Sequence, residues 1–455
     1  MSNSSARESD PSSSPVSKPP RQPLTSAACP VVDHDARQNG EVLPAPGLSL
    51  SRRCVAIIAA AVGIAVANLY YNQPMLPDIA RSFGISADVI ALLPMLTQVG
   101  YAIGLFLFVP LGDIMDRHRL VLALHLGIIV SLVGLAVAPS LVWLDMAGLT
   151  LGMTSALAQV LVAFAAQLSR PSERGRIVGT LQAGMLAAIL LARTVSGTVS
   201  AYLGWRLMFW LAAAVNLALF VVLHRVLPRT RPAVSLPYSS ALWSLNELWR
   251  SYPQLRTSSV IGALLFAAFS VFWSTLAFHL AGPPFGYGPQ VAGLFGLLGA
   301  AGAASAPVTG QMTDRRGAAF TVAIGSLLTT AAFVVFGLAE GSLVVLALGV
   351  VLLDVGIQAA MNGNQSTILS LSSQAISRIN TIYMVFYFVG GALGSLTGGL
   401  AWHHFGWLGV SALGFLYGCA AVLVRFTAWI ANAPSSRPHG SRGARSVPRR
   451  VSRQN

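Results

Sequence analysis

Two ionisable residues stand deep inside long apolar stretches of the sequence. Asp354 lies near the middle of the stretch 343–370, and Arg193 lies past the middle of the stretch 177–201. An ionisable side chain in hydrocarbon costs several kcal/mol unless it is paired or hydrated, so each of the two is a candidate for function. An aspartate can bind and release a proton, whereas an arginine keeps its charge. We therefore expect Asp354 to carry protons, and Arg193 to modulate that carrier or to contact an anionic substrate.

A third ionisable residue, Asp145, lies near the start of the apolar stretch 142–168. This position favours a solvated helix end, where the carboxylate lies close to the positive end of the helix dipole. A structural ion pair between Arg193 and Asp145 is an alternative to the coupling of Arg193 with Asp354. The sequence leaves open which of the two carboxylates pairs with Arg193.

These charged residues are held by apolar stretches long enough to cross a bilayer. Apolar residues make up 54% of the 455 residues and charged residues only 10%, whereas a soluble domain carries about 25% charged residues. This composition excludes a soluble enzyme. A helix needs roughly 20 apolar residues to cross about 30 Å of hydrocarbon, and long continuous stretches favour helices over the short alternating strands of a β-barrel. Twelve stretches, numbered as spans 1 to 12, come close to that length: 54–73, 89–109, 120–138, 142–168, 177–201, 206–226, 257–280, 291–309, 318–339, 343–370, 379–401 and 407–430.

The sequence contains no pattern for a metal or a cofactor. Its three cysteines are far apart and its eight histidines are scattered, without the spacing of metal ligands. The ATP-binding pattern G-x-x-x-x-G-K-[ST] is absent, so an ion gradient is the expected source of energy. The arginines lie between apolar spans and on the tails, which excludes nucleic acid as a partner and leaves the lipid bilayer.

The spans form two sets of six around a polar interval. We expect five parts: a disordered tail 1–53, a first six-helix bundle 54–226, a central loop 227–256, a second six-helix bundle 257–430 and a basic tail 431–455. Within the central loop, Leu242, Leu245 and Trp249 recur at helical spacing. That spacing predicts an amphipathic helix that lies on the inner leaflet and serves only as a spacer.

Basic residues alternate strongly between the two sides of the predicted membrane. If both termini are cytoplasmic, the inner segments hold 26 of the 29 lysines and arginines, and the outer loops hold only Arg81 and Arg206. Cytoplasmic loops carry the excess of positive charge in membrane proteins. We therefore expect both termini and the central loop in the cytoplasm.

A short charged motif occurs once in each half. The pattern G-x-x-x-D-R follows span 2 and returns 198 residues later, after span 8. A carboxylate at a helix end can accept hydrogen bonds from free N–H groups at the start of a neighbouring helix. Topogenic charges in a tight turn are the alternative, since turns also favour glycine and aspartate. Because the two copies occupy corresponding loops, the halves are predicted to be duplicates.

Twelve spans, duplicated halves, a long central loop and this motif together resemble the major facilitator superfamily over residues 50–430. The resemblance implies an all-α membrane protein with twelve transmembrane helices in two pseudo-symmetric six-helix bundles. It also implies that Asp116 contacts the start of span 11 and Asp314 the start of span 5, which would hold the cytoplasmic side closed. The first copy departs from the family pattern, because Arg119 stands where glycine is usual. The residues assigned to conformational gating are Gly112, Asp113, Asp116, Arg117, Arg119, Gly310, Asp314 and Arg315.

Three strings are similar to a bacterial branch of drug and sugar efflux permeases that exchange substrate for protons. They are NLYYNQPMLPDIA in span 1, LLARTVSG in span 5 with the GWR that follows it, and RINTIYMVFYFVGGALGS in span 11. This likeness implies a monomeric secondary transporter of the inner membrane that exports a small molecule by alternating access in exchange for protons. An uptake permease is the alternative of the same class, and a non-transporting membrane sensor is the alternative of another class.

In this family spans 1, 4, 7 and 10 line a central cavity, and polar residues recur on them here. The three that follow Asp354 lie on one helix face, although hydrogen bonds between helices would explain that stripe equally well. Tyr383 and Tyr387, one turn apart in span 11, either stack on an aromatic substrate or pack against other helices. The candidates for the substrate cavity are Asn68, Asn72, Gln73, Gln159, Gln358, Asn362, Gln365, Tyr383 and Tyr387.

Overall fold

A computed structural model describes most of the chain. The described residues are 51–170, 172–228, 238–339, 341–372 and 374–431. The predicted tails 1–53 and 431–455 lie outside these residues, except for 51–53 and 431, and so does the stretch 229–237 of the central loop.

The described ranges are built of α-helices and contain no β-strand. The helices are α1 (Arg52–Ala67), α2 (Asn72–Phe83), α3 (Ala87–Ile90), α4 (Leu92–Ile114), α5 (Arg117–Ala136), α6 (Leu141–Ser155), α7 (Leu157–Leu168), α8 (Arg174–Leu203), α9 (Trp205–Val226), α10 (Tyr238–Ser251), α11 (Pro253–Ala281), α12 (Pro289–Leu298), α13 (Ala300–Arg316), α14 (Ala318–Gly337), α15 (Leu343–Leu369) and α16 (Ile376–Ala431).

Within the part of the chain that the structure describes, eleven helical stretches are long and apolar enough to cross a membrane. The last of them, Ile376–Ile430, has 55 residues. At 1.5 Å per residue this is about 80 Å of helix, whereas one crossing needs about 30 Å. Gly406 divides the stretch, because its φ of 59° and ψ of −150° lie outside the helical region. The stretch therefore makes two crossings, and the predicted total of twelve is confirmed.

The spans keep their predicted numbers. Spans 1, 2, 4 and 8 each consist of two consecutive helices, which are α1 and α2, α3 and α4, α6 and α7, and α12 and α13. Spans 3, 5, 6, 7, 9 and 10 are the single helices α5, α8, α9, α11, α14 and α15. Spans 11 and 12 are the parts of α16 before and after Gly406, and α10 belongs to the central loop.

The prediction that span 1 ends at residue 73 is wrong. Helix α2 continues to Phe83, and Gly84 ends it in a left-handed conformation at φ 65°. The extension is polar, so it leaves the hydropathy pattern while remaining helical. Asp78 and Arg81 form an ion pair on its surface, at the three-residue spacing that suits a helix.

The two halves contact each other toward one end of the bundle. We call the end with Asp116 and Asp314 the motif end, and the other the opposite end. Helix α2, the part of span 1 near the opposite end, packs on spans 7 and 8, whereas α1 packs within its own half. Span 5 packs closely on α12 but little on α13, which leads to the motif end. The halves therefore meet at the opposite end and separate toward the motif end.

Glycines on spans 5 and 8 have this same asymmetry. A Cβ at Gly197 would collide with the carbonyl oxygen of Pro289 and lie 3.1 Å from the Cα of Gly293. A Cβ at Gly179 or at Gly310, both toward the motif end, would have no atom within 4 Å. Glycine at position 197 is thus what permits the close approach that joins the halves at the opposite end.

Helix α10 forms as predicted, and its apolar face packs on protein. Leu245 is only 4% exposed. The hydroxyl of Tyr238 donates to the carbonyl oxygen of Leu107 in span 2 at 2.8 Å. At its other end, the ring of Trp249 stacks on Phe386 in span 11, with centroids 4.3 Å apart. The helix therefore connects the two halves, and its position on the inner leaflet stays a prediction.

Candidate functional site

A cavity of about 130 Å³ lies between the two halves. Five residues singled out in the sequence line it: Gln159, Arg193, Asp354, Gln358 and Tyr387. They come from spans 4, 5, 10 and 11, so both halves contribute polar groups to one cavity. Aromatic rings that sequence reasoning missed make up much of the remaining wall: Tyr70, Tyr101, Phe266, Phe269 and Phe388.

Arg193 is held in a fixed position at the wall of this cavity. Its Nε donates to the amide oxygen of Gln73 in span 1 at 2.8 Å. Its guanidinium carbon lies 3.9 Å from the centroid of the Trp273 ring and 5.0 Å from that of Tyr70. The residue is only 1% exposed, and its Nη2 has no hydrogen-bond partner. The aromatic faces and the amide stabilise a buried cation, whereas its Nη2 is left without an acceptor.

Asp354 lies on span 10 and faces the same cavity. Its Oδ2 has no hydrogen-bond partner. The ion pairs within 4.0 Å among the described residues include none between Asp354 and Arg193. The cavity therefore holds one fixed cation and one carboxylate that do not satisfy each other.

Asp145 does not lie at a solvated helix end. It is 8% exposed, and its Oδ1 has no hydrogen-bond partner. Its side chain turns away from the exposed face of α6 that carries Val142 and Met146. Arg193 contacts Gln73 and aromatic rings instead of Asp145, so the alternative ion pair between the two is not formed.

Small residues on span 8 bring Arg193 and Asp354 close to each other. The Cβ of Arg193 would lie 2.9 Å from a Cβ at Gly296, and Oδ1 of Asp354 would lie 3.6 Å from one at Gly299. Positions three residues apart lie on the same face of a helix, with Cβ atoms about 5–6 Å apart. Span 8 also changes from α12 to α13 at Gly299. The two charged side chains thus border successive turns of one glycine-lined face.

The polar stripe after Asp354 divides between the cavity and the helix interface. Gln358 donates to the side-chain oxygen of Asn362 at 2.9 Å. Asn362 donates in turn to Oγ1 of Thr309 at 2.7 Å, which links span 10 to span 8. Asn362 therefore makes the interhelical hydrogen bond that was the alternative explanation, while Gln365 is half-buried and does not line the cavity.

The remaining cavity candidates lie behind the wall. Asn68 and Asn72 flank the turn between α1 and α2 and are 1% and 4% exposed. Gln73 holds Arg193. Tyr383 is fully buried beside Gly262, and its ring lies 6.0 Å from that of Tyr387. Of the two tyrosines only Tyr387 reaches the cavity, where it stacks on the ring of Phe266.

A buried polar network that the sequence analysis did not identify connects the halves. Nε2 of Gln98 in span 2 donates to Oγ of Ser395 in span 11 at 2.8 Å. Ser274 in span 7 reaches the same oxygen at 3.0 Å. The only signal in the sequence was the position of Gln98 inside an apolar span, where a polar side chain needs a partner. The network adds hydrogen bonds to the surface where the halves meet.

The hydrogen bonds described for the first motif copy lie within its own half. The carboxylate of Asp116 accepts from the backbone N–H of His118 at 3.0 Å, so the helix start that it caps is that of span 3, whereas the resemblance implied span 11. Nε of Arg117 donates to the carbonyl oxygen of Gly112 at 2.7 Å, and Nη1 donates to that of Ala163 in span 4 at 3.2 Å. Arg119 is exposed and lies 3.8 Å from Asp116. The side chain of Asp113 is outside the described part.

The second motif copy has a different local structure. Asp314 and Arg315 are still inside the last turn of α13 and are exposed, and in the described part Asp314 has no hydrogen bond or ion pair. Helix α13 ends only at Gly317, whose φ is 88°. Arg119 occupies the equivalent position of the first copy, where such a backbone conformation would be strained. Among the described residues, Asp314 makes no contact by hydrogen bond or ion pair with the start of span 5.

Comparisons with known proteins agree on one family. The family model described as "Major Facilitator Superfamily" matches residues 58–395. "Uncharacterized transporter YgaY" of Escherichia coli O157:H7 is 38% identical over 384 residues, which cover 84% of this chain and 96% of the relative. "Probable transporter SCO4007" of Streptomyces coelicolor is 32% identical over 369 residues, 81% of this chain and 86% of the relative.

A solved structure shares the fold. It is the crystal structure of a bacterial homolog to the human lysosomal transporter Spinster, in an inward-facing and occupied conformation. Its TM-score is 0.67 at 14% sequence identity, and the match covers 83% of this chain and 96% of the other. At this identity the likeness concerns the fold alone.

Proposed function

The chain belongs to the major facilitator superfamily of membrane transporters, and we propose that it exports a small molecule across the inner membrane in exchange for protons. Both halves come from one chain, so a monomer is sufficient for alternating access around the cavity. Export as the direction is supported by the likeness of three sequence strings to efflux permeases.

The proposal depends on the position of the Asp354 carboxylate. It is a carboxylate near the middle of the 27-residue helix α15, it faces the cavity, and one of its oxygens has no partner. A carboxylate in this position can bind a proton from one side and release it to the other as access alternates. Arg193 lies against the neighbouring turn of span 8 and supplies a fixed positive charge that favours release.

The antiport follows if substrate and proton compete for one site. A substrate that contacts the ionised form of Asp354 excludes the proton, and a bound proton excludes that substrate. Gln159 and Gln358 lie in the same wall and can donate or accept hydrogen bonds. In this scheme neither solute crosses without the other being exchanged.

Reconstituted transport tests the proposal. A compound that stabilises the purified protein against heat is loaded into proteoliposomes, and its movement is measured with and without an imposed pH gradient. Asp354→Asn keeps the size of the side chain but cannot titrate. It should abolish accumulation driven by the gradient and preserve exchange of labelled for unlabelled compound.

Two outcomes would contradict this scheme. Accumulation by Asp354→Asn at the wild-type level would eliminate Asp354 as the proton carrier. Movement of the compound together with protons, and not against them, would favour the uptake permease. Asn246→Asp is the control. It also exchanges asparagine and aspartate, but on α10, outside the spans, so it should leave the coupling of transport to protons unchanged.

Membrane orientation is proposed from the distribution of charge, with both termini and α10 in the cytoplasm. The motif end, where α10 lies, would then be the cytoplasmic end. Reporter fusions test this: alkaline phosphatase should be inactive when fused at residue 240 and active when fused at residue 286, between spans 7 and 8. The reverse result would overturn the orientation.

A further inference from the structure

The cavity combines three features that together specify a kind of ligand. Its wall is aromatic, it carries one fixed cation, and it carries one carboxylate that is not paired with that cation. We propose that it binds a small aromatic zwitterion, a molecule with one ring, one carboxylate and one ammonium group. This inference rests on the proposed transport function and names the class of its substrate.

The aromatic wall sets the size and the shape of the ligand. Phe266 stacks on Tyr387 with centroids 4.0 Å apart, and Tyr101 meets Phe388 edge to face at 4.4 Å. The volume of about 130 Å³ is close to that of an engineered apolar cavity of about 150 Å³ that binds benzene. A single planar ring therefore fills most of this space and gains the edge and face contacts that aromatic groups prefer. The two ionic groups of the ligand are accommodated when the side chains around Arg193 and Asp354 move apart.

Arg193 selects a carboxylate on that ring. The guanidinium cannot move to Asp354 without losing the hydrogen bond to Gln73 and the contact with Trp273. Its unpartnered Nη2 is buried, and a buried charged donor without an acceptor is costly. A ligand carboxylate would supply the acceptor, in a charge-assisted hydrogen bond.

Asp354 selects the ammonium group of the same ligand. Its free Oδ2 can accept from a primary ammonium, which carries three donors. Gly296 and Gly299 place the two protein charges against successive turns of span 8, a separation that one small molecule can bridge. The ammonium would also compete with the proton for the same carboxylate, which is what an antiporter requires.

Three probes separate the contributions of the two ionic groups. L-phenylalanine carries ring, carboxylate and ammonium, 3-phenylpropanoate lacks the ammonium, and 2-phenylethylamine lacks the carboxylate. Binding to the full-length protein in lipid nanodiscs is measured by calorimetry at neutral pH. We expect L-phenylalanine to bind at least tenfold more tightly than either truncated probe. L-cyclohexylalanine should bind several-fold more weakly, because it has the same charges without the aromatic ring.

Variants assign each preference to its residue. Arg193→Gln should remove the advantage of L-phenylalanine over 2-phenylethylamine, and Asp354→Asn should remove its advantage over 3-phenylpropanoate. Arg206→Gln is the matched control, since Arg206 also lies over a tryptophan ring, Trp205, but at the exposed outer surface. The comparison of probes on the wild-type protein stands even if a variant fails to fold.

The remaining results test the ligand class and the proton exchange separately. Equal affinity of the wild-type protein for 2-phenylethylamine and L-phenylalanine would contradict the proposal that the ligand is a zwitterion. Binding of none of the probes would contradict it as well. If 2-phenylethylamine alone binds and releases a proton from the protein, the antiport scheme is supported and the zwitterionic ligand class is wrong. If L-phenylalanine binds as expected but releases no proton, the ligand class stands and the proton exchange falls.

Discussion

The guanidinium carbon of Arg193 lies 3.9 Å from the centroid of the Trp273 ring, and this contact crosses from the first half of the protein to the second. Arg193 is the last residue of span 5 that lines the cavity. One turn further along, Gly197 packs against Pro289. Arg193, which borders the cavity, therefore also belongs to the contact surface that closes the opposite end.

Trp273→Leu should weaken the closure of the opposite end. Buried cation–π contacts contribute up to about 2 kcal/mol, so the ratio of closed to open states should fall by as much as roughly thirtyfold. Spin labels at Arg81 and Tyr287, both near the opposite end, should report a longer mean distance in the variant. Trp429→Leu, on the exposed surface of span 12, is the control and should leave the distance unchanged. An unaltered distance in Trp273→Leu would show that the contact does not influence closure.

Gly197→Val should destabilise the closed arrangement of the halves at the opposite end. Even a Cβ at this position would collide with the carbonyl oxygen of Pro289, and overpacking of this kind costs about 1–3 kcal/mol. The melting temperature should fall and transport should slow by about fivefold to a hundredfold, because this free energy lowers the population of the state closed at this end. Gly179→Ala is on the same helix in open space and should keep both. Normal transport by Gly197→Val would mean that this contact is not needed in the cycle.

Trp249→Ala should destabilise the protein by removing one attachment of α10. The stacked rings of Trp249 and Phe386 contribute about 0.5–1.5 kcal/mol beyond the area that they bury. Thermal unfolding followed by tryptophan fluorescence or by light scattering should show a lower midpoint. Trp243→Ala on the same helix is the control, since Trp243 is 71% exposed. Equal effects of the two changes would show that the contact between Trp249 and Phe386 does not stabilise the protein, as expected if α10 is only a spacer.

The sequence predicts the membrane-crossing architecture well because hydropathy and charge alternation report directly on the bilayer. It also identifies Arg193 and Asp354, since a charge inside an apolar span stands out against its neighbours. It does not identify the aromatic wall, because Phe266 in the cavity and Phe405 on the outer surface look the same in an apolar stretch. Only the packing of the twelve spans decides which of these side chains faces the cavity.

Helix α10 and the motif show a second limit of sequence reasoning. The apolar stripe with Leu245 fits a leaflet and a protein surface equally well, and only tertiary contacts select the protein. Two copies of the motif with the same aspartate and arginine adopt different structures, because Arg119 and Gly317 differ in the backbone conformations that they allow. Identical motif letters therefore did not imply identical contacts.

The two motif aspartates should differ in their effect on stability. Asp116 accepts from the N–H of His118 at the start of span 3, and loss of such a cap costs about 1 kcal/mol. Asp314 is exposed inside the last turn of α13, where its removal leaves no backbone group unsatisfied. Asp116→Ala should therefore lower the melting temperature of the purified protein, whereas Asp314→Ala should leave it nearly unchanged.

Asparagine substitutions sharpen this comparison, since asparagine caps a helix about as well as aspartate. Asp116→Asn should recover most of the stability that Asp116→Ala loses, because the exposed ion pair with Arg119 at 3.8 Å contributes little. Any effect of Asp314→Asn should appear in the transport rate and not in the melting temperature, because a contact of Asp314 with span 5 could form only after the motif end closes. A loss of stability in Asp314→Ala as large as that in Asp116→Ala would mean that Asp314 makes a stabilising contact before the motif end closes.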